Sequence, residues 1–200
     1  MTPALRKLTL TAHVVFSIGW ISAVAAFLVL SIAGLTSRNP DIVRGSYLSM
    51  DLISRFMIIP MCFAAVVTGI IDAFVTPWGL FRYYWVVVKF ALTLVATLLL
   101  LTHENAIARA AKWVSTAVAI QLFATDFDPL KSELVQKSAL AIVLLLVIAT
   151  LGIYKPWGLT AYGRRKQQES LGTKVQPVTG ELLLRVGVTM LHFVENFPPY

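Results

Sequence analysis

Three side chains stand out because a bilayer is a poor solvent for them: His13, Asp72 and Lys89 all lie within long apolar stretches of the chain. Ionisable groups at membrane depth are costly, so they face a bundle interior and mark charge pairing, proton transfer or ligand binding. The simplest chemistry is an Asp72–Lys89 charge pair, in which each group neutralises the other. A sharper chemistry uses the imidazole. His13 then acts as a proton carrier or metal ligand, Lys89 holds an anionic group such as a propionate, and Asp72 orients one of them. Ser17, Trp20 and Thr93 join these as candidate ligand-binding residues because they share helical stripes with His13 and Lys89. No catalytic residue can be assigned. The sequence contains no Gly-rich phosphate loop, no histidine pair one helical turn apart and no Cys-x-x-Cys, so nucleotide hydrolysis, zinc proteolysis and c-type haem attachment lack support.

The elements that position these groups are membrane helices. The 200 residues are 58% hydrophobic and 14% charged, with a mean hydropathy of +0.76, which excludes an ordinary soluble domain. The net charge of +7 therefore bears on membrane orientation rather than on nucleic acid. Cys62 is the single cysteine and lies in an apolar run, where it packs as a small hydrophobe.

Four runs are long enough to cross a hydrocarbon core, which takes about 20 apolar residues. They are Leu8 to Ser37, Phe56 to Thr76, Tyr83 to Thr102 and Ser138 to Tyr154. The first has a basic start at Arg6 and Lys7, like a signal peptide, but its apolar stretch continues through Leu30 and reads as a helix that stays in the membrane. Between the third and fourth runs, Trp113 to Thr125 is too short for a crossing and reads as a helical continuation of span three or an interface-lying helix. The expected fold is an all-α, polytopic four-helix bundle with short turns, an extramembrane helical segment before span four and an interfacial C-terminal helix.

Residues 1–162 form the transmembrane domain in this reading. Residues 163–200 form a linker, polar from Gln167 to Gly172, and an amphipathic tail from Glu181 to Phe197. Pro77-Trp78-Gly79-Leu80 with Tyr83 recurs as Pro156-Trp157-Gly158-Leu159 with Tyr162. Each copy suits a helix stop with an aromatic anchor, and both lie on one face if two crossings separate them. Lysine and arginine near the span ends are evenly divided between the two faces. The dense Arg164-Arg165-Lys166 cluster and the basic start place both termini in the cytoplasm of a bacterial cell, with the chain in its inner membrane.

In this topology Asp72 and Lys89 flank one turn at nearly one level. His13 enters from the same side, roughly 8 Å inside a helix starting at Leu8. Lys89, Thr93, Ala96, Leu100 and His103 form an inward stripe on span three. On span one, His13, Ser17, Trp20, Val24 and Phe27 border a pocket, while Gly19, Ser22, Ala23 and Ala26 suit close contact with a neighbour. His103 lies roughly 21 Å along its helix from Lys89 and cannot share one iron with His13. His192, in the tail, reads as a surface group.

Leu10-Thr11-Ala12-His13, Trp85 with Lys89, His103, the Tyr154-Lys155-Pro156-Trp157-Gly158 exit and Gly163-Arg164-Arg165 carry a resemblance. Over roughly residues 8 to 166 the chain resembles an uncharacterised bacterial family of four-helix integral membrane proteins. More distantly it looks like the membrane-bound haem protoporphyrinogen oxidases and the copper-resistance D domain. The resemblance to the haem oxidases implies a b-type haem or porphyrin site using His13 and Lys89. Copper export would ask for methionine or histidine clusters, of which Met50, Met57 and Met61 are the only trace. Two further expectations stand beside a redox ligand: a non-catalytic membrane subunit, as a homo-oligomer or with a partner protein, and, ranked below it, metal transport.

Overall fold

The computed structural model describes residues 2–75, 79–123 and 128–171. The expected tail helix at 181–197 and His192 lie outside the described residues. Among the described residues up to Tyr154, five α-helices follow one another: α1 (Pro3–Thr36), α2 (Pro40–Ile53), α3 (Ile59–Val75), α4 (Tyr84–Thr116) and α5 (Asp128–Tyr154). A π-helical turn, Ser54–Ile58, joins α2 to α3, and a 3-10 turn, Ala119–Phe123, precedes α5. Prolines at Pro3 and Pro40 open α1 and α2, where a missing N–H costs nothing, and Asn39 Oδ1 caps α2 by accepting from the Asp41 N–H at 2.9 Å.

Four helical units are long and apolar enough to cross a membrane: Pro3–Thr36, Pro40–Phe74, Tyr84–Thr116 and Asp128–Tyr154. The all-α four-span architecture is as expected, but the helices outrun the apolar runs. The second unit starts at Pro40 rather than Phe56, α4 continues through Trp113 to Thr116, and α5 starts at Asp128 rather than Ser138. The expected extramembrane segment is thus made of the continuation of α4, a 3-10 turn and the first turns of α5 itself. At 33 residues α4 measures about 50 Å, well beyond a hydrocarbon core of about 30 Å. Its second half, α2 and the start of α5 carry the charges that cannot lie in lipid.

Side-chain contacts fix the up-and-down order and its register. Ser31 Oγ, late in α1, meets Ser138 Oγ in α5 at 3.4 Å, Cys62 Sγ meets Thr97 Oγ1 at 3.3 Å, and Ser54 Oγ donates to Glu104 Oε1 at 2.6 Å. Arg44 of α2 donates from Nε to the Val114 carbonyl at 3.0 Å and from Nη2 to the Ala117 carbonyl at 2.6 Å. It thereby satisfies two of the acceptors that a helix C-terminus leaves open. Where α1 turns into α2, a Cβ on Gly34 would stand 2.9 Å from the Tyr47 ring, so only glycine lets those helices close. Cys62 is fully buried, as its setting predicted.

At the opposite end, Gly79 has φ +59° and Lys155 φ +48°, left-handed residues that stop the chain from continuing as helix. Tyr84 N–H donates to Gly158 O at 3.3 Å, so the stretch leaving the first Pro-Trp-Gly copy meets the second on one face. Lys155 Nζ lies 5.8 Å from the Trp85 ring centroid at the same end.

The chain divides into two compact units after Gly158. In the second, residues 161–171 are helical. Thr160 starts that helix, its Oγ1 accepting from Gly163 N–H at 3.0 Å. The stretch expected as a polar linker from Gln167 is therefore helical up to residue 171. Its polar residues reflect an exposed helix, not a lack of structure.

Candidate functional site

His13 reaches from α1 to α3. Its Nδ1 stands 3.0 Å from Ala65 O and 3.2 Å from Thr68 Oγ1. The carbonyl can only accept. The Thr68 hydroxyl proton is directed to its own helix, with Ala64 O at 2.6 Å and Ala65 O at 3.2 Å, so its oxygen also accepts. Both partners therefore ask Nδ1 to carry the proton, which leaves Nε2 as the ring's second functional nitrogen. The ring lies flush on α3, and a Cβ on Gly69 would come within 3.0 Å of Cε1.

Asp72 follows Thr68 by one helical turn on the same face of α3 and is buried, at 8% exposure. Lys89 is half-buried at the start of α4, with Nζ 3.2 Å from where a Cβ on Gly152 of α5 would sit. Asp72 and Lys89 are near enough to act through space on His13 with opposite signs, and Asp72 acts likewise on Lys89. The three groups share one neighbourhood at the end of the bundle where α1 and α4 begin and α3 and α5 finish. His13 lies farther along its helix than expected, about 15 Å from its start, because α1 begins at Pro3 rather than Leu8. Lys89 departs from the direct charge pair: its Nζ makes no ion pair within 4.0 Å and no hydrogen bond among the described residues.

The other candidates separate. Thr93 Oγ1 donates to Lys89 O at 2.8 Å and is occupied by its own helix. Ser17 is half-buried on α1. Trp20 is buried in the wall of an apolar cavity of about 190 Å³ farther along the bundle, whose lining includes neither His13, Asp72 nor Lys89. The inward stripe of span three spans both places: Ala96, Leu100 and His103 line that cavity, while Lys89 belongs to the polar centre.

The span-one stripes divide similarly, with Val24 and Phe27 beside Trp20 in the cavity wall. Gly19 packs against Met61 and Ala23 is buried, but Ser22 and Ala26 are exposed. Sequence reasoning missed Ala65, Thr68, Gly69 and Gly152, the small residues that admit His13 and Lys89. The one available signal was the Thr68-Gly69-x-x-Asp72 spacing, which sets a hydroxyl, a gap and a carboxylate on one helical face. No cluster of three or more His, Cys, Asp or Glu side chains able to hold a metal is present among the described residues.

Comparison with protein-family models, curated proteins and solved structures finds no match.

Proposed function

We propose that this multi-pass protein of the bacterial inner membrane, with both termini in the cytoplasm, holds a b-type haem or a related redox ligand at the His13–Asp72–Lys89 centre. The observation that carries the reading is the 3.0 Å contact of His13 Nδ1 with the Ala65 carbonyl, an acceptor that asks Nδ1 to carry the proton. A histidine that ligates a metal through one nitrogen commonly donates from the other to a carbonyl, which fixes the ring and raises its basicity. The residues fit the polar ends of such a group: His13 Nε2 would hold its metal and the Lys89 ammonium would hold a propionate. Haem bound there would supply one-electron redox chemistry. The chain's own part is to orient the imidazole through Ala65 and Thr68, hold an anion with Lys89 and balance that cation with Asp72. The similarity of the His13 and Lys89 placement to the haem protoporphyrinogen oxidases supports the same reading.

The test is the visible absorption spectrum of protein purified from haem-replete cells. A Soret band that disappears in His13→Ala is expected, and a folded but colourless wild-type protein overturns haem. An assembly role is a second reading, favoured by Ser22 and Ala26, small residues of α1 left exposed in one chain. It predicts an oligomer in mild detergent that Ala26→Leu dissociates, and a wild-type monomer removes it. Metal transport has no such support beyond His13.

A further inference from the structure

The apolar cavity lies at the other end of the membrane portion, between α1, α4, α5 and the π-helical turn. Trp20, Phe27, Leu100, Ala141 and Leu144 line its body, while Ser54, His103, Lys137 and Ser138 are the polar members of its wall. Ser54, His103 and Lys137 sit where each of the three later spans passes from apolar sequence into its charged extension, so the polar wall falls at the membrane–water boundary and the apolar body within the hydrocarbon. Leu99 and Leu140, also in the wall, are 45% and 60% exposed, which gives the cavity a side open towards lipid.

Two further observations mark this as a built site. The first is the π-helical turn, whose Ser54 and Ile58 both line the cavity. Such turns are rare and recur at functional positions. The second is His103. Its Nδ1 faces the Leu99 carbonyl at 2.9 Å and so carries the proton, and its Nε2 is buried with no hydrogen-bond partner among the described residues. A neutral imidazole protonated at Nδ1 presents an acceptor at Nε2.

We propose that this cavity binds a lipid-soluble molecule with a hydroxylated head, whose O–H donates to His103 Nε2 while its apolar body fills the space between Trp20 and Leu144. The proposal does not depend on the centre at His13. A quinol ring and the glycerol hydroxyl of an acylglycerol both offer this chemistry. The volume admits one ring or a short length of chain, and the opening at Leu99 and Leu140 lets a longer tail run out into lipid.

The experiment uses the full chain in detergent and two pairs of probes: a decyl-substituted benzoquinol with its dimethyl ether, and a ten-carbon monoacylglycerol with its dimethyl ether. Thermal unfolding is measured across a titration of each. A rise in Tm with at least one hydroxylated probe, weaker by about tenfold in apparent Kd for its ether, is the expected result. His103→Phe should remove that preference while leaving the ether's affinity unchanged, and Ala141→Trp should abolish binding by filling the space. A response to the benzoquinol alone or to the monoacylglycerol alone identifies the source. No response to any probe, or equal binding of hydroxylated and methylated forms in the wild-type chain, overturns the proposal even if His103→Phe fails to fold.

Discussion

At the residue scale, the polar centre is defined by what glycine permits and by the Lys89 charge, which makes no ion pair among the described residues. A methyl group at Gly69 would press on the His13 ring, 3.0 Å away, and one at Gly34 would press on the Tyr47 ring, 2.9 Å away. Aromatic rings held between helices yield little, so Gly34→Ala and Gly69→Ala are each expected to cost about 1–3 kcal/mol. At Gly152 the obstacle is the flexible end of Lys89, so Gly152→Ala should be neutral or, through helix propensity, slightly stabilising. Thermal unfolding of the three variants in one detergent checks the order, and equal losses at all three would contradict it. Lys89→Met offers a sharper contrast. An ammonium that is half-buried and makes no ion pair among the described residues contributes little to stability, so the variant should unfold at the wild-type temperature or above it while losing most of any anionic ligand. Destabilisation by Lys89→Met would instead assign the lysine to architecture. Asp72→Asn combined with Lys89→Met should be close to additive in stability, because their coupling acts through space.

At the element scale, the spans were legible because uncharged runs of about 20 residues have few alternatives to a bilayer. The helices' true lengths were not. Asp41, Arg44, Asp51 and Arg55 interrupt the apolar pattern, as do Lys131, Glu133 and Lys137, yet they continue the same helices out of the membrane. Hydropathy reads the solvent around a segment, whereas helicity needs only backbone bonding and lateral support. Part of that support comes from Arg44, whose two bonds to Val114 and Ala117 hold the end of α4. Arg44→Met is expected to cost about 2–4 kcal/mol, since charged hydrogen bonds contribute about 1.5–3 kcal/mol each and the carbonyls would recover some water. Amide exchange should then accelerate in the last turn of α4 and not around His13. The π-helical turn was equally hidden, because its single extra residue leaves no mark on composition. The stripe from Lys89 to His103 was visible, but its division between a polar centre and an apolar cavity depends on which neighbours face each part.

At the scale of the whole molecule, the two candidate sites lie at opposite ends of one bundle, and the sidedness of the membrane decides what each can meet. Tyr84 N–H bonding to Gly158 O puts the exits of α3 and α5 on the face where α1 begins. The His13 centre therefore belongs to the leaflet of the N-terminus, and the His103 cavity to the other. Under the proposed orientation, with both termini cytoplasmic, the first would be an inner-leaflet site and the second would open towards the outer leaflet. Native Cys62 is fully buried, so cysteines introduced singly at exposed positions can be followed over little background. Asp41 and Ser170 are both exposed. In intact spheroplasts, Asp41→Cys is expected to react with a membrane-impermeant maleimide, and Ser170→Cys only after the membrane is opened. The opposite pattern would invert the protein and exchange the leaflets of the two sites. Labelling of both residues from outside would refute the odd number of crossings, three, between them, and with it the single face on which the bonded exits of α3 and α5 meet the start of α1.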